Sequence, residues 1–268
     1  MGAERKRLDL LLTELGLFSS RSAARSAVMA GLVAVGGSRV DKPGTMVTCD
    51  AKITVSEMPR YVSRGGLKLE KALCCFGVDP GGRVAMDVGA STGGFTDCLL
   101  QAGAKRVYSI DVGYGQLDWR LRQDVRVVSL ERTNIRYLDA DRIAEPVDLA
   151  VVDVSFISLA LIFPVLSKLG VSEIVALVKP QFEAGKGLVG KKGVVREASI
   201  HQDVLHKAFA DAARSGYLPA GLTYSPLRGP QGNIEYLLHL KAGASLQQKV
   251  LDDSDCRKVV EEAHSELI

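Results

Sequence analysis

Between Val84 and Asp97 the chain reads V-A-M-D-V-G-A-S-T-G-G-F-T-D, an apolar run holding Asp87 that opens into a glycine-crowded loop. Backbone this free of side chains can lie flat against a nucleotide. Ser91 stands where a loop of the G-x-G-x-x-G type needs its second glycine, so a pyrophosphate is disfavoured. Asp111 lies 22 residues past Gly89, at the end of the next apolar run. That is the spacing of a carboxylate that accepts hydrogen bonds from ribose hydroxyls. A nucleoside carrying an amino-acid portion suits this set. Asp87 would sit beside its ammonium, and the backbone of Gly89, Ala90, Ser91, Thr92, Gly93 and Gly94 would lie under its amino-acid chain. S-adenosylmethionine meets that description, with Phe95, Thr96, Val112 and Asp153 as further expected contacts. On the loop alone, another nucleotide and a purely structural turn stay open.

The surrounding elements must bring these residues to one edge. From Val84 onward, strand-type runs (V-A-M-D-V, R-V-Y-S-I-D-V, V-R-V-V-S-L, V-D-L-A-V-V-D-V, E-I-V-A-L-V-K-P) are interspersed with helical stretches, among them S-L-A-L-I-F-P-V-L-S-K. A helix near 199–215 and two final strands around 219–225 and 233–240 complete the series. The pattern predicts an α/β fold with a mainly parallel sheet covered on both faces. Ligands on such sheets lie at the carboxyl ends of strands, where strand order reverses.

A smaller module precedes it. Leucines at 8, 11, 12 and 15 predict an amphipathic helix stopped by Gly16, and Ser19 or Ser20 can cap a second helix that Gly31 ends. Arg21 and Arg25 share a face of that second helix. Short β-type runs follow, separated by Gly36-Gly37. Residues 1–60 hold nine Lys/Arg against six Asp/Glu, which accounts for the whole net charge of +3. Two short helices, a small sheet and arginines on one face suit a phosphate-binding surface.

Composition excludes other classes. At 268 residues, with 47% hydrophobic and 24% charged positions, the chain has ordinary globular values. Its longest apolar run, Phe156 to Leu166, is broken by Ser158 and Pro164 and is shorter than the ~18 residues of a bilayer span. No membrane association and no export signal are expected, and the protein is read as cytoplasmic. Five cysteines without C-x-x-C spacing and four scattered histidines indicate reduced thiols and no metal site.

Several motifs together resemble a known family. Y-V-S-R-G-G-L-K, D-V-G-A-S-T-G-G-F-T, D-V-G-Y-G-Q-L, D-V-S-F-I-S, V-K-P-Q-F-E and G-N-I-E-Y occur in this order. With the front module, they make residues 5 to 241 similar to the TlyA family. Its members, once named hemolysins, are ribosomal RNA 2′-O-methyltransferases with an FtsJ-like (RrmJ-type) domain behind an αL-type RNA-binding domain. The resemblance implies an RNA-binding domain over 1–58 and a linker over 59–66. A Rossmann-like class I methyltransferase domain with a seven-stranded sheet would follow over 67–241, then a tail over 242–268, helical in part and without an assigned role. It also implies S-adenosylmethionine as cofactor and RNA contacts at Arg7, Arg21, Arg25 and Arg39. The substrate would be ribosomal RNA within a ribosomal subunit, at a cytidine of the large subunit, with the small subunit left open. A monomer is expected.

The family's Lys-Asp-Lys-Glu tetrad falls on Lys68, Asp153, Lys179 and Glu235. Asp153 and Lys179 end apolar strands, Lys68 follows a Gly-Gly turn and Glu235 begins the final strand, so all four can reach one edge. A ribose hydroxyl needs a base before it attacks, and free lysine, near ~10.4, is protonated at neutral pH. Desolvation and a second nearby ammonium lower that value. Lys179 is assigned as the base and Lys68 as its orienting partner. Lys186, Lys191, Lys192 and Arg196 in the glycine-rich segment 183–197 read as an RNA-gripping lid, with Arg60 and Arg64 as further RNA contacts. Methylation of a nucleobase and a non-catalytic RNA-binding or ribosome-assembly role are the competing readings; a pore former is disfavoured.

Overall fold

The computed structural model describes residues 4–56, 59–185, 187–190, 192–229, 231–243 and 251–267. The chain divides into two units, Met1–Arg60 and Tyr61–Ile268. Lys186 and Lys191 lie outside the described residues.

In the first unit, β1 (Arg5–Arg7) runs into α1 (Leu8–Glu14), which buries Leu8, Leu11 and Leu12 as the leucine spacing requires. Of the two candidate serines, Ser20 caps α2 (Arg21–Met29): its hydroxyl accepts the Ala23 amide at 3.2 Å. That hydrogen bond satisfies a donor the helix itself leaves open. The remaining strands are β2 (Val33–Val35), β3 (Ser38–Arg39), β4 (Met46–Thr48) and β5 (Ile53–Val55). β1 pairs with β4, and β3-β2-β5 form an antiparallel sheet. Ala24, Ala27, Val28, Val33 and Val47 close the core over the leucines.

The second unit begins with α3 (Gly65–Phe76), followed by β6 (Val84–Val88), α4 (Gly94–Gln101), β7 (Arg106–Ile110), α5 (Trp119–Gln123) and β8 (Val127–Leu130). Then come β9 (Leu149–Val152), α6 (Phe163–Lys168), β10 (Glu173–Val178), α7 (Pro180–Glu183), α8 (Ala198–Arg214), β11 (Tyr217–Tyr224), β12 (Tyr236–Ala242) and α9 (Asp253–Leu267). Seven strands form one sheet in the order β11-β12-β10-β9-β6-β7-β8. Strands β8 to β10 in this order are parallel, and β12 is antiparallel to both its neighbours. β6 and β9 are buried throughout, which explains their unbroken apolar sequences. The chain winds outward from β6 through β7 to β8, then returns to the other side of β6 as β9. Strand order reverses there, and the site must open at that point.

Three segments depart from the sequence reading. The stretch expected as one helix over 158–168 is split: Ser158 caps a 3₁₀ turn at Leu159–Leu161, and α6 starts only at Phe163. Pro164 accounts for this, since it fits the first turn of a helix and no later position. Within the segment expected as a linker, Tyr61 is buried and packs so tightly on Gly66 that a Cβ there would lie 2.2 Å from its ring. Within the segment expected as a tail, α9 buries Cys256, Val260 and Ala263 in the core that also holds residues of α8 and β11. These three recur at helical spacing, a signal masked by the charged residues between them.

A half-buried ion cluster fastens the start of β10 opposite the site. Glu173 accepts from His239 Nε2 at 2.7 Å and from Arg83 Nη1 at 2.6 Å. Together these hold its carboxyl down at about 2, against the opposing effect of burial. A carboxyl depressed on folding stabilises above its unfolded value and loses that contribution as pH falls through its folded value. The wild-type unfolding free energy should therefore decline by roughly 2 kcal/mol between about pH 5 and pH 2 on this account. In urea titrations at several pH values, Glu173→Gln should start less stable and lack this part of the decline; an unchanged pH profile would remove the cluster's role.

Candidate active site

The loop after β6 decides the geometry. Gly89 has φ +89°, and a Cβ there would lie 2.4 Å from the backbone oxygen of Asp153. Only glycine lets the two strand ends approach this closely. Ser91 also adopts a left-handed conformation, at φ +49°. Its amide donates to Asp111 Oδ2 at 2.7 Å, while Asp111 Oδ1 accepts from Gly113 at 2.7 Å. The carboxylate at the end of β7 is thus fixed by two amides, and each oxygen keeps a lone pair for a ligand hydroxyl.

Two hollows border this loop. The larger, about 650 Å³, runs along the ends of β6, β7 and β9 and is bounded by Gly89, Asp111, Val112, Asp153, Phe156 and Leu161, among others. The smaller, about 240 Å³, is bounded by Arg64, Lys68, Ala90, Thr92, Gly94, Phe95 and Arg228 together with Asp153. Gly89, Ser91 and Asp153 border both. A nucleoside-sized space with a fixed carboxylate therefore adjoins a narrow, cation-lined one.

The tetrad residues form two pairs, and one member of each borders a hollow: Lys68 the smaller, Asp153 both. Lys68, in the first turn of α3, donates to Glu235 Oε2 at 2.5 Å, and the two are 8% and 1% exposed. Lys179 Nζ lies 2.6 Å from Asp153 Oδ1 and donates to Ser155 Oγ at 3.0 Å. The Lys179–Asp153 contact is an ion pair rather than an aligned hydrogen bond, because Asp153 Oδ1 receives no donor at a favourable angle. The dominant partner of each lysine is a carboxylate rather than the other lysine. The sequence reading stressed mutual crowding of the ammonium groups; pairing is what the fold provides.

Other expected cofactor contacts lie elsewhere. Asp87 and Thr96 are fully buried and, like Gly93, border neither hollow. Thr96 Oγ1 donates to Asp87 Oδ2 at 2.7 Å and lies 2.7 Å from Ser109 Oγ. Burial pushes the Asp87 carboxyl up to about 7, with the Asp153 and Asp111 charges adding and Thr96 opposing. Asp87 thus links β6 to α4 and, through Thr96, to Ser109 of β7, while its Oδ1 is buried without a hydrogen-bond partner among the described residues. Gly93 caps α4 at φ +95°, where a Cβ would strike Leu121 and Leu117.

Of the expected RNA contacts, Arg7 and Arg21 share Asp9, Arg25 is exposed, and Arg39 donates to the Ala30 carbonyl at 3.3 Å. Arg60 and Arg64 are exposed, and Arg64 borders the smaller hollow. Lys192 and Arg196 line a third hollow of about 540 Å³ that shares no residue with the other two. Asn233 ties this loop to the start of β12: its Oδ1 accepts from Val195 at 3.0 Å and its Nδ2 donates to the Gly193 carbonyl at 2.8 Å.

Sequence reasoning missed several site residues. Phe156 sits at φ +65°, is 90% exposed and packs on Phe182 with ring centroids 4.9 Å apart. An exposed aromatic held in a left-handed conformation points to function. Glu183 accepts from Ser158 Oγ at 2.6 Å, the Leu159 amide at 2.7 Å and Lys207 Nζ at 3.1 Å. It thereby ties the loop after β9 to α7, which follows Lys179. The motifs D-V-S-F-I-S and V-K-P-Q-F-E contain these residues, but only the fold reveals that they meet. Arg228 carried no sequence signal.

The reversing sheet, the glycine loop and the fixed carboxylate define a methyltransferase-type α/β domain. An FtsJ-like methyltransferase family model matches residues 61–242, and an S4 domain model matches residues 6–51. The 16S/23S rRNA (cytidine-2′-O)-methyltransferase TlyA of Mycobacterium tuberculosis is 44% identical, over 97% of this chain and 99% of that protein. YqxC of Bacillus subtilis is 52% identical over 100% of this chain and 97% of its own length. A solved structure from Streptococcus thermophilus, described as a hemolysin, is 47% identical with a TM-score of 0.75, over 99% of this chain and 98% of that one. The chain belongs to the TlyA family of FtsJ-like methyltransferases.

The buried Lys68–Glu235 pair separates stability from chemistry. Glu235→Gln should destabilise the second unit by about 3 kcal/mol, because it strands a buried ammonium. The double change Lys68→Met, Glu235→Leu should recover most of that loss in urea unfolding and leave methyl transfer abolished. Recovery of both would exclude these residues from the reaction. Gly89→Ala should weaken binding of an adenosyl ligand at least ~100-fold by calorimetry, since the added atom meets backbone that has nowhere to move.

Proposed function

We propose that this protein transfers a methyl group from S-adenosylmethionine to the 2′-hydroxyl of a cytidine ribose in ribosomal RNA, with Lys179 as base. The observation that carries the reading is the Lys179–Asp153 ion pair, whose acid borders both hollows. The larger hollow suits the cofactor in size. Asp111 would hold its ribose, Val112 would lie against its base, and the Gly89 to Thr92 backbone would support its amino-acid part. When bound, the cofactor supplies an electrophilic methyl group on a sulfonium.

The chain's own residues do the rest. Lys179 in its neutral form takes the proton of the ribose hydroxyl, and Asp153 then stabilises the ammonium that results. Lys68, fixed by Glu235, orients the acceptor in the narrow hollow. Phe156, exposed and propped on Phe182, offers an aromatic face at the edge of the larger hollow on which an RNA base can stack. Arg64 and Arg228 supply cationic contacts for the neighbouring phosphates. Most of the acceleration comes from alignment of a hydroxyl already beside its base.

The substrate assignment draws on the TlyA relative, whose name specifies cytidine 2′-O-methylation of 16S and 23S rRNA, and on the S4 domain. The acceptor is read as a ribosomal subunit in the cytoplasm, the large one with the small one open, and the enzyme as a monomer. A relative at 42% identity over 87% of this chain and 98% of its own length, from Brachyspira hyodysenteriae, is named Hemolysin A. Among the described residues, no helix is long and apolar enough to cross a membrane.

Incubation with labelled cofactor and each unmethylated subunit, followed by nuclease digestion and mass spectrometry, should locate the methyl group on ribose. A label on the base rejects the assignment. Lys179→Ala should lower kcat at least ~1,000-fold, with cofactor affinity changed only a few-fold. Retained turnover in that variant would dispose of the lysine base.

A further inference from the structure

In the first unit, Asp9 in the first turn of α1 is fully buried, yet its two partners lie mostly outside the core. Arg7 grips it through Nε to Oδ1 and Nη2 to Oδ2, both at 3.0 Å, and Arg21 reaches Oδ2 through Nε, also at 3.0 Å. The arginine side chains remain 43% and 48% exposed. One carboxylate therefore joins the end of β1 to the start of α2. A guanidinium has five N–H donors, so Arg7 keeps three and Arg21 keeps four for other partners. Gly44 makes room for the head of Arg7, since a Cβ there would lie 3.1 Å from Nη1.

We propose that Asp9 is a positioning residue for RNA: by gripping Arg7 and Arg21 at once, it presents two guanidinium groups side by side as a preformed clamp for backbone phosphates. This rests on reading the unit as RNA-binding. The physical reason is twofold. Two like-charged groups held this close repel each other, and the carboxylate between them cancels that repulsion while leaving the trio a net charge of +1. Free arginine side chains also lose conformational freedom when they bind a phosphate, and here that ordering has already occurred on folding. Arg7, with Arg21 assisting, holds the Asp9 carboxyl down at about 2 despite its burial, so the clamp stays charged throughout the working pH range.

The test uses the opposite signs of charge and geometry. Asp9→Asn adds one to the formal net charge of +3. If charge alone governs binding, the variant should bind RNA more tightly. If positioning governs, it should bind ribosomal subunits from cells lacking the enzyme about tenfold more weakly at ~0.1 M salt, with the loss in KM rather than kcat. Equal or tighter binding by a folded variant overturns the proposal. Should Asp9→Asn fail to fold by circular dichroism, Arg7→Lys with Arg21→Lys carries the test. It keeps both charges but cannot fork between carboxylate and phosphate, so unchanged binding also overturns the proposal. Arg7→Ala with Arg21→Ala separates the two levels: no loss in that variant means the face does not contact RNA, whereas a loss there without one in Asp9→Asn defeats only the clamp.

Discussion

The approach of Gly89 to the carbonyl of Asp153 is the constraint on which the site depends. Because no side chain fits between them, the end of β6 lies against the end of β9 where the strand order reverses. That contact sets the wall common to the two hollows and places Asp153 on both. Lys179, at the end of the next parallel strand, then has an acid within ion-pair distance. The adjacency of the two hollows thus follows from one missing Cβ. The same reasoning covers Ser91, whose left-handed backbone turns its amide onto Asp111.

Charge near a sheet edge requires compensation, and the site meets that requirement in pairs. An isolated buried ammonium or carboxylate is costly, and removing one member of a pair exposes that cost in full. Lys68 with Glu235 and Lys179 with Asp153 each satisfy it locally. The two pairs differ in environment. The first is nearly sealed, whereas the Asp153 side chain keeps 22% of its surface exposed toward the hollows. Asp87 carries the contrasting case: burial, with the Asp153 and Asp111 charges adding, pushes its carboxyl up to about 7.

Around this centre other buried polar side chains hold the loops in place. Glu183 collects three donors and so couples the turn bearing Phe156 to the helix after Lys179. Asn233 pins the glycine-rich loop to the strand that begins beside Glu235. Asp9 plays the corresponding part in the first unit. In each case a buried polar side chain ties together segments that are separate in the sequence. Side chains of this kind are hard to recognise in sequence, because their role lies in whom they meet rather than in their own chemistry.

The sequence by itself determined the fold class, the mainly parallel character of the sheet and the position of the glycine loop after β6. These depend on apolar periodicity and on glycine conformation, which are local properties. Motif order pointed to the family and to the four tetrad residues. Tertiary structure decided the rest. It paired each lysine with its own acid, withdrew Asp87 and Thr96 from the surface, and built α9 into the core. It also brought Phe156 onto Phe182 and Asp9 between two arginines. Lys68 and Glu235 are separated by 167 positions, and no local pattern can specify a contact between them. Burial and pairing depend on which distant segments the packed sheet makes neighbours, so the charges that matter most were the ones the sequence could name but not connect.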